Sequence, residues 1–568
     1  MNNAPHSDNN GGAGAWGLEW TRVVDVIVVG SGAAGLTAAW AAAQRGASVL
    51  VLERAAFTGG TTAKSSATIW IPNNRCMRAR GVADPREDAI RYMAKSAYPT
   101  RYNAAHATLG LPEDKYRLIA RFYDMAGVAL DALLDAGVQD IAETFYPDYY
   151  AEMAEDRAPI GRSLRPTVWA GHRRGIDPGE GQIFLDRLQA AFEKLGGEVQ
   201  VNSRVLNAIR DGGDENAGSV VGLEVRVGHR SEFIGARQGI VFGTGGFLHD
   251  EAMATAYLRG PVMGGSAVEG SAGDFVRIGQ QLGAALGNMS HAWWSQALVE
   301  FVARNRATLR DVYVPYGDSM FMVNRYGVRA LNEKAPYNER GQVHFTWDAT
   351  RREYPNYLMF WVFDDALING HWASDPRYAR HRSPMPPPGE SREYIISAPD
   401  WPGLVAGIRA RLQALAPHTG GVALAPPFEE NLAATLARFN AMAAEGKDLD
   451  FGRGDAAIDR FWSQEARPGA VTGTLHPLSR SGPYHCIILG PGALDTKGGP
   501  VIDEDARVIS MAGEPIPGIY AAGNCVASPA GQAYWGAGGT VGVAMTFGYI
   551  AGCHVVTREP RRAVTLAG

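Results

Sequence analysis

From Val23 to Val29 the chain is apolar except for Asp25, a run that predicts a parallel strand buried on both faces. Ala33–Arg45 has helix-forming composition and stops at Gly46, a residue suited to the left-handed position past a helix end. Ala47–Leu52 is a second apolar strand with Glu53 at its end. Together these make a βαβ unit, for which a right-handed crossover is expected. The pattern from Asp88 to Gly137 is mostly helical, and Leu111-Pro112-Glu113-Asp114 reads as a helix start, with Tyr116 in the early turns. Tyr146–Pro178 is irregular and rich in Pro, Arg and Tyr, and is expected to be a surface insertion.

Apolar residues alternate through Glu198–Ile234 (Val199, Val201, Val205; Val221, Leu223, Val225, Val227), which predicts a β meander. Gly239–Phe247 is a strand ending in a glycine turn. Gly273–Leu286 reads as an amphipathic helix with Asp274 as its N-cap. Trp294–Tyr484 differs in composition, being rich in aromatic residues and proline and including the proline loop Ser383–Ser391. Tyr357–Phe363 within it reads as a buried strand. The elements predict an α/β protein: a polar, disordered tail at 1–20, a discontinuous dinucleotide-binding domain of Rossmann type at 21–295 and 488–568, and an inserted α+β domain at 296–487 that carries substrate and catalysis. A cleft between the two is the expected place for a site.

A chain of 568 residues exceeds one hydrophobic core, so two or more domains are expected. A net charge of −5 gives no electrostatic case for nucleic acid or an anionic membrane. The four cysteines form no CxxC pair, which argues against a disulfide framework, an iron–sulfur cluster or a zinc site; no metal is expected. No uninterrupted apolar window of about 18 residues occurs, and the first residues lack a basic, then apolar, leader pattern, so a cytoplasmic location is expected.

The chemistry is concentrated in two glycine-rich segments. Gly30, Gly32 and Gly35 form GxGxxG between the first strand and the first helix. Gly30 serves the tight turn, Gly32 a close backbone approach to a pyrophosphate, and Gly35 helix–strand packing, while Ala33 and Ala34 open the helix whose N–H groups meet the phosphates. Glu53, followed by Arg54, is placed to accept from a ribose hydroxyl. The following loop, with Gly60, Thr61, Thr62, Ser65 and Ser66, favours non-covalent FAD over NAD, because it can run along the pyrophosphate toward an isoalloxazine. Val205 and the turn Gly243-Thr244-Gly245 are assigned to the same FAD site. Near the end of the chain, Asn524 is expected to cap or contact the flavin. Gly539, Thr540 and Val541 open a helix whose N-terminus would face the flavin N1–C2=O edge. With no second dinucleotide fingerprint, the electron acceptor is expected to be external to the chain.

These segments resemble the fumarate reductase/succinate dehydrogenase-type flavoproteins and, within them, the 3-ketosteroid Δ1-dehydrogenases. The resemblance is carried by GSGAAGLTAA from Gly30, GGTTAKSSATIWIPNN from Gly59, LNEKAPY ending at Tyr337, GALDTKGG from Gly492 and YWGAGGTVGVAMTFGY from Tyr534. Asp495 stands where the fumarate reductases have histidine, and their arginine-bearing HGANR run is absent here, which argues against a dicarboxylate substrate. The resemblance implies 1,2-desaturation of a 3-ketosteroid, from 3-oxo-4-ene to 3-oxo-1,4-diene, in steroid degradation. By that resemblance the Tyr534 hydroxyl and the Gly538 N–H hold the ketone oxygen, and Tyr337 takes the C2 proton. Tyr116 hydrogen-bonds Tyr337 and helps lower its pKa, and the C1 hydride passes to flavin N5. The alternatives are a Δ4-(5α)-dehydrogenase or another cyclic-ketone desaturase, a fumarate reductase-like enzyme, and a non-catalytic electron carrier. A lipid-partitioning substrate would make loose membrane association reasonable without an anchor. The physiological acceptor, quinone-like or otherwise, and the oligomeric state are not assigned.

Overall fold

A computed structural model describes residues 19–561 except 173–178, 212–217, 309–314, 316, 370–384, 387–390 and 464–465. Most of the polar tail and most of the proline loop therefore lie outside the described residues.

The first strand, Arg22–Val29, is the centre of an eight-stranded sheet. It pairs in parallel with Val49–Leu52 on one side and Arg230–Phe242 on the other, so that Val28 lies between Val51 and Val241. Val26, Ile27 and Val28 are fully buried, as a strand covered on both faces requires. The one polar residue of that run, Asp25, accepts from Ser48 N–H and Oγ and from Arg237, which explains its place there. Pro515–Ala521 continues the parallel sheet beyond Arg230–Phe242, and Ser203–Arg210, Val220–Val227 and Arg230–Phe242 form the antiparallel meander.

The helix Ala33–Ala43 is buried along its whole length because the C-terminal helix Gly539–Val555 packs directly on it. Gly548 and Gly552 set the approach: a Cβ there would lie 2.3 Å from Ala34 O and 2.2 Å from Ala38 O. The two ends of the chain thereby form one layer over the sheet.

A six-stranded sheet draws on Gly264–Gly265, Ala292–Leu298, Met320–Val323, Met359–Asp364, Ile396–Ala398 and Tyr484–Thr496. The aromatic run expected as a buried strand forms Met359–Asp364, buried at every residue. Two local expectations are corrected. Gly273, at φ +71°, and not Asp274, caps the helix Asp274–Gln281; the Asp274 carboxylate instead pairs with Arg54 and Arg204. The stretch 146–178 is not a surface insertion throughout: Ser163–Pro166 is the middle strand of a small sheet, between Ile69–Trp70 and Ile141–Glu143, and Asp148, Tyr149 and Arg162 are buried. Among the described residues no helix is long and apolar enough to cross a membrane.

Candidate active site

A cavity of about 1470 Å³ runs from the first βα turn to the N-terminus of the last helix. That exceeds the usual range of about 300–1,000 Å³ for a single small ligand, and leaves room for a dinucleotide with a substrate beside it. At one end lie Gly30, Gly32, Ala33, Ala34, Glu53 and Arg54. Gly30 has φ +97°, and a Cβ on it would meet Gly243 O at 2.5 Å; a Cβ on Gly35 would meet Gly30 O at 1.8 Å. Both positions admit only glycine, whereas Gly32 has nothing nearer than Thr62 Oγ1 at 3.7 Å and leaves the turn open to a ligand. Glu53 accepts from Ser31 N–H and Oγ through one oxygen and from Ala55 N–H through the other, which fixes its carboxylate at the strand end.

Along the middle run Gly60, Thr61, Thr62, Ser65 and Ser66, faced by Val205 and Gly243-Thr244-Gly245. Asn524, Thr540 and Val541 lie toward the other end. The open backbone at a helix N-terminus, the acid at the strand end and the elongated polar wall fit FAD. Of the residues expected around the cofactor, Gly35 and Gly539 do not line the cavity. Gly35 is buried against the first turn, and Gly539 lies under the Tyr534 ring, where a Cβ would sit 3.1 Å from it.

Three tyrosines converge at the substrate end: Tyr337, Tyr534 and Tyr149. Tyr337 begins a short helix after Pro336, whose ring restricts that turn. Its ring meets Tyr534 edge-on, with centroids 5.3 Å apart and planes at 81°, and meets Tyr149 likewise. Tyr149 and Tyr534 complete the triangle at 5.4 Å. The Gly538 N–H and the Thr540 hydroxyl are turned toward the Tyr534 hydroxyl as donors. Gly538 holds φ +93°, and a Cβ there would lie 2.3 Å from Thr68 O.

The third tyrosine is therefore Tyr149 and not Tyr116. Tyr116 lies in the first turn of the helix Glu113–Asp135, beside the Arg86 guanidinium, and does not line the cavity. The role had been placed on Tyr116 by the resemblance to the 3-ketosteroid Δ1-dehydrogenases. Tyr149 sits in an irregular stretch that only its aromatic density, Tyr146-Pro147-Asp148-Tyr149-Tyr150, could have marked.

Tyr149 is held by its neighbours. Its N–H donates to Trp535 O at 3.1 Å. Asp148 beside it accepts from Trp70 Nε1 at 2.9 Å and pairs with Arg162, a fully buried guanidinium that also binds Asp84 bidentately and Asp156. Burial pushes Asp148 up to about 6 despite that cation. Tyr150, next in sequence, accepts from Tyr534 N–H at 3.1 Å and donates to Glu339 at 2.6 Å. The loop carrying Tyr149 and the loop carrying Tyr534 are thus stitched together on both sides of the tyrosine triangle.

Burial raises the pKa of all three tyrosines, and raises Tyr337 and Tyr149 well above the ordinary phenol value. This corrects the expectation of a lowered Tyr337. Hydrogen bonding within the triangle raises Tyr337 further and lowers Tyr149 and Tyr534, for both of which burial outweighs it.

Behind Tyr534, Trp293 packs at 5.0 Å and donates to Asn524 Oδ1 at 2.9 Å. Asn524 donates to Asp495, which also accepts from Gly246 N–H, Thr496 N–H and Ser271 Oγ. Asp495 holds this glycine turn against the cavity, and burial raises its pKa to about 6. His476 bonds the Pro477 carbonyl and His485 bridges Ser397 and Asp365, both away from the cavity lining. Among the described residues there is no cluster of side chains suited to a metal ion.

The FAD binding domain family matches residues 25–541. The chain is 31% identical to a 3-oxosteroid 1-dehydrogenase of Mycobacterium tuberculosis, over 95% of this chain and 99% of that protein. It is also 31% identical to a 4-oxocyclohexanecarboxylate 2-dehydrogenase of Sinomonas cyclohexanicum, over 93% of this chain and 92% of that one. The solved 3-ketosteroid Δ1-dehydrogenase of Sterolibacterium denitrificans, in complex with 1,4-androstadiene-3,17-dione, has the same fold, with TM-score 0.76 and 24% identity over 94% of this chain and all of that one. The chain belongs to the FAD binding domain family, as an FAD-dependent oxidoreductase related to the 3-oxosteroid 1-dehydrogenases.

Proposed function

We propose that the protein desaturates 3-ketosteroids at C1–C2. The observation that carries this is the convergence of Tyr149, Tyr337, Tyr534 and the Gly538 N–H at one end of the FAD cavity. The Tyr534 hydroxyl and the Gly538 N–H together donate to the ketone oxygen, the atom on which negative charge grows as the neighbouring carbon loses its proton. Tyr337 receives the C2 proton, and Tyr149 orients Tyr337 and shares its proton. FAD, when bound, supplies the acceptor for the hydride that leaves C1. Tyr149 lines the site and Trp293 backs Tyr534, and this aromatic packing limits water around the developing charge. In domain terms, the inserted segment 296–487 brings Tyr337 to an FAD-binding part built from 21–295 and 488–568, with strands of both contributing to the six-stranded sheet. The electron acceptor is external, and loose association with a membrane surface would suit a lipid-partitioning substrate.

The test is anaerobic mixing with androst-4-ene-3,17-dione. Bleaching of the flavin with formation of the 1,4-diene is expected; an oxidised flavin that dithionite still reduces would exclude this substrate class.

Arg165 favours a second reading, desaturation of a cyclic ketone that carries a carboxylate. It lies on the cavity wall, two residues along the strand from Ser163, whose hydroxyl bonds Ala537 O, so the two side chains share a face. Among the described residues its guanidinium has no hydrogen bond or ion pair. A planar guanidinium suits a carboxylate. Turnover of 4-oxocyclohexanecarboxylate, lost in Arg165→Met, would establish this reading over the steroid.

A further inference from the structure

Tyr149, Tyr337 and Tyr534 line the cavity, whereas Tyr150 does not. Tyr150 sits behind the wall, where its ring packs on Tyr92 at 6.2 Å between centroids and its N–H meets the Tyr92 hydroxyl at 3.4 Å. The Tyr92 hydroxyl donates in turn to Trp535 O, which also accepts from Tyr149 N–H. The backbone of Tyr149 and Tyr150 is thereby tied to the residue that follows Tyr534.

The Tyr150 hydroxyl is a junction of three chain segments. It accepts from Tyr534 N–H at 3.1 Å, and so holds the backbone of the tyrosine assigned to the ketone oxygen. It donates to Glu339 Oε1 at 2.6 Å, a carboxylate two residues beyond Tyr337 on the helix Tyr337–Gln342. Its own backbone adjoins Tyr149. Burial, and then the Glu339 carboxylate, hold Tyr150 well above the ordinary phenol value, so the hydroxyl keeps its proton and the direction of both bonds is set. Glu339 is itself held on its helix, where Oε1 also accepts from Asn338 Nδ2 at 2.8 Å and Oε2 accepts from Gln342 Nε2 at 3.2 Å. Asn338 Oδ1 accepts from Trp294 N–H at 3.2 Å, in the strand Ala292–Leu298. Gly341 lies so close to that strand that a Cβ would meet Ser295 N at 2.8 Å. The helix is thus fixed to the sheet, and the Tyr150–Glu339 bond carries that position to the two loops.

We propose that Tyr150 and Glu339 are positioning residues: their hydrogen bond sets the spacing of Tyr149, Tyr337 and Tyr534, and so the place of the oxyanion donor relative to the base. This role rests on the reading of Tyr534 as the donor and Tyr337 as the base. In that reading Tyr534 meets the ketone oxygen while Tyr337 reaches the neighbouring carbon, a relation in which a displacement of about 1 Å costs on the order of a hundredfold in rate. Removal of the Tyr150 hydroxyl takes the acceptor from Tyr534 N–H, on a residue only 2% exposed, and the loop moves to find another. Such a shift weakens the hold on a charged oxyanion more than on a neutral ketone, so it acts on rate before binding.

The experiment applies two readouts to FAD-loaded native, Tyr150→Phe, Glu339→Gln, Glu339→Met and Tyr150→Phe/Glu339→Met proteins. Rapid mixing with androst-4-ene-3,17-dione over a range of concentrations gives the limiting rate of flavin reduction and the ketone Kd separately. Hydrogen–deuterium exchange of the peptide spanning Tyr534 reads the loop without turnover. Tyr150→Phe is expected to lower the limiting rate about 10- to 100-fold, to change Kd by less than about threefold, and to speed exchange in that peptide. Glu339→Met should do the same. Glu339→Gln, which keeps an acceptor for Tyr150, should recover most of the rate. The double variant should be no slower than the slower single, because both act through one bond. Losses that multiply in the double variant, a Kd that rises in step with the rate loss, a Glu339→Gln as slow as Glu339→Met, or unchanged exchange would each overturn the proposal. Tyr337→Phe is run in the same series: undiminished reduction there would remove the base assignment itself. A native flavin that this ketone leaves oxidised would remove the steroid reading. In either case exchange in the single and double variants still decides whether Tyr150 and Glu339 hold the Tyr534 loop.

Discussion

The rings of Tyr337 and Tyr149 meet edge-on, 5.6 Å between centroids and 79° between planes, although 188 positions of the polypeptide separate them. One comes from a helix start after a proline, the other from an irregular stretch anchored by buried carboxylates. Their meeting brings two phenols together at one end of the cofactor cavity.

That relationship ranks the tyrosines. Tyr337→Phe should lower the rate of flavin reduction by roughly 10²–10⁴ with FAD still bound. Tyr149→Phe should fall by less, and Tyr116→Phe should remain within a few-fold of native, because its ring lies beside Arg86 outside the cavity. Rapid-mixing traces with ketone, with bound flavin quantified by absorbance, distinguish these outcomes.

Reduction should accelerate as pH rises. Burial first, then the neighbouring phenols, raises Tyr337, so the deprotonated form is scarce at neutral pH and grows as pH climbs toward its raised pKa. The expected profile climbs through the neutral range without a plateau. A flat profile from pH 6 to about 9 would remove tyrosine from the base role.

Gly538→Ala should impair chemistry and local structure together. A Cβ would strike Thr68 O at 2.3 Å in a backbone conformation at φ +93°, and the displaced N–H would no longer face the ketone. Loss of one such donor lowers kcat by about 10²–10³. Binding of a substrate analogue, measured by flavin difference spectra, should weaken less than turnover.

Arg162→Met should destabilise the molecule by roughly 3–5 kcal/mol, since Asp84, Asp148 and Asp156 would be left buried without their cation. Thermal unfolding followed by flavin fluorescence measures this. Because Asp148 adjoins Tyr149, the residual folded protein should also reduce slowly.

Asp495 gives a pH signature in flavin-free protein. Burial raises its folded pKa from 3.8 to about 6, so the folded state binds the proton more tightly than the unfolded one. Its contribution to stability is complete below pH 3.8 and is lost as pH rises through about 6. Melting temperatures of native and Asp495→Asn protein should therefore differ in slope across that window, the native slope being the more negative.

Much of the cofactor half is written locally in the sequence, because a phosphate turn requires glycine at fixed spacing and a buried strand requires an unbroken apolar run. Gly30, Gly32 and Glu53 could be assigned roles from spacing alone. Tyr534 was marked by its glycine-rich surroundings and by resemblance to known enzymes. Tyr149 was hidden because its position depends on Arg162, a residue whose partners lie 78 and 14 positions away and leave no periodic trace. The capping of Asp274–Gln281 went to Gly273 and not Asp274 because two arginines claim the aspartate.

The close seating of Gly548 and Gly552 on the first helix has a consequence for how this protein can change. The helix that follows Gly538 lies, about three and four turns beyond that residue, directly on the helix that follows the glycine turn. Any substitution that parts those helices shifts both ends of the cavity at once. On the proposed function, variation in the ketone accepted would come from the cavity wall around Tyr146 and Arg165, while the axis joining the glycine turn to Gly538 stays fixed.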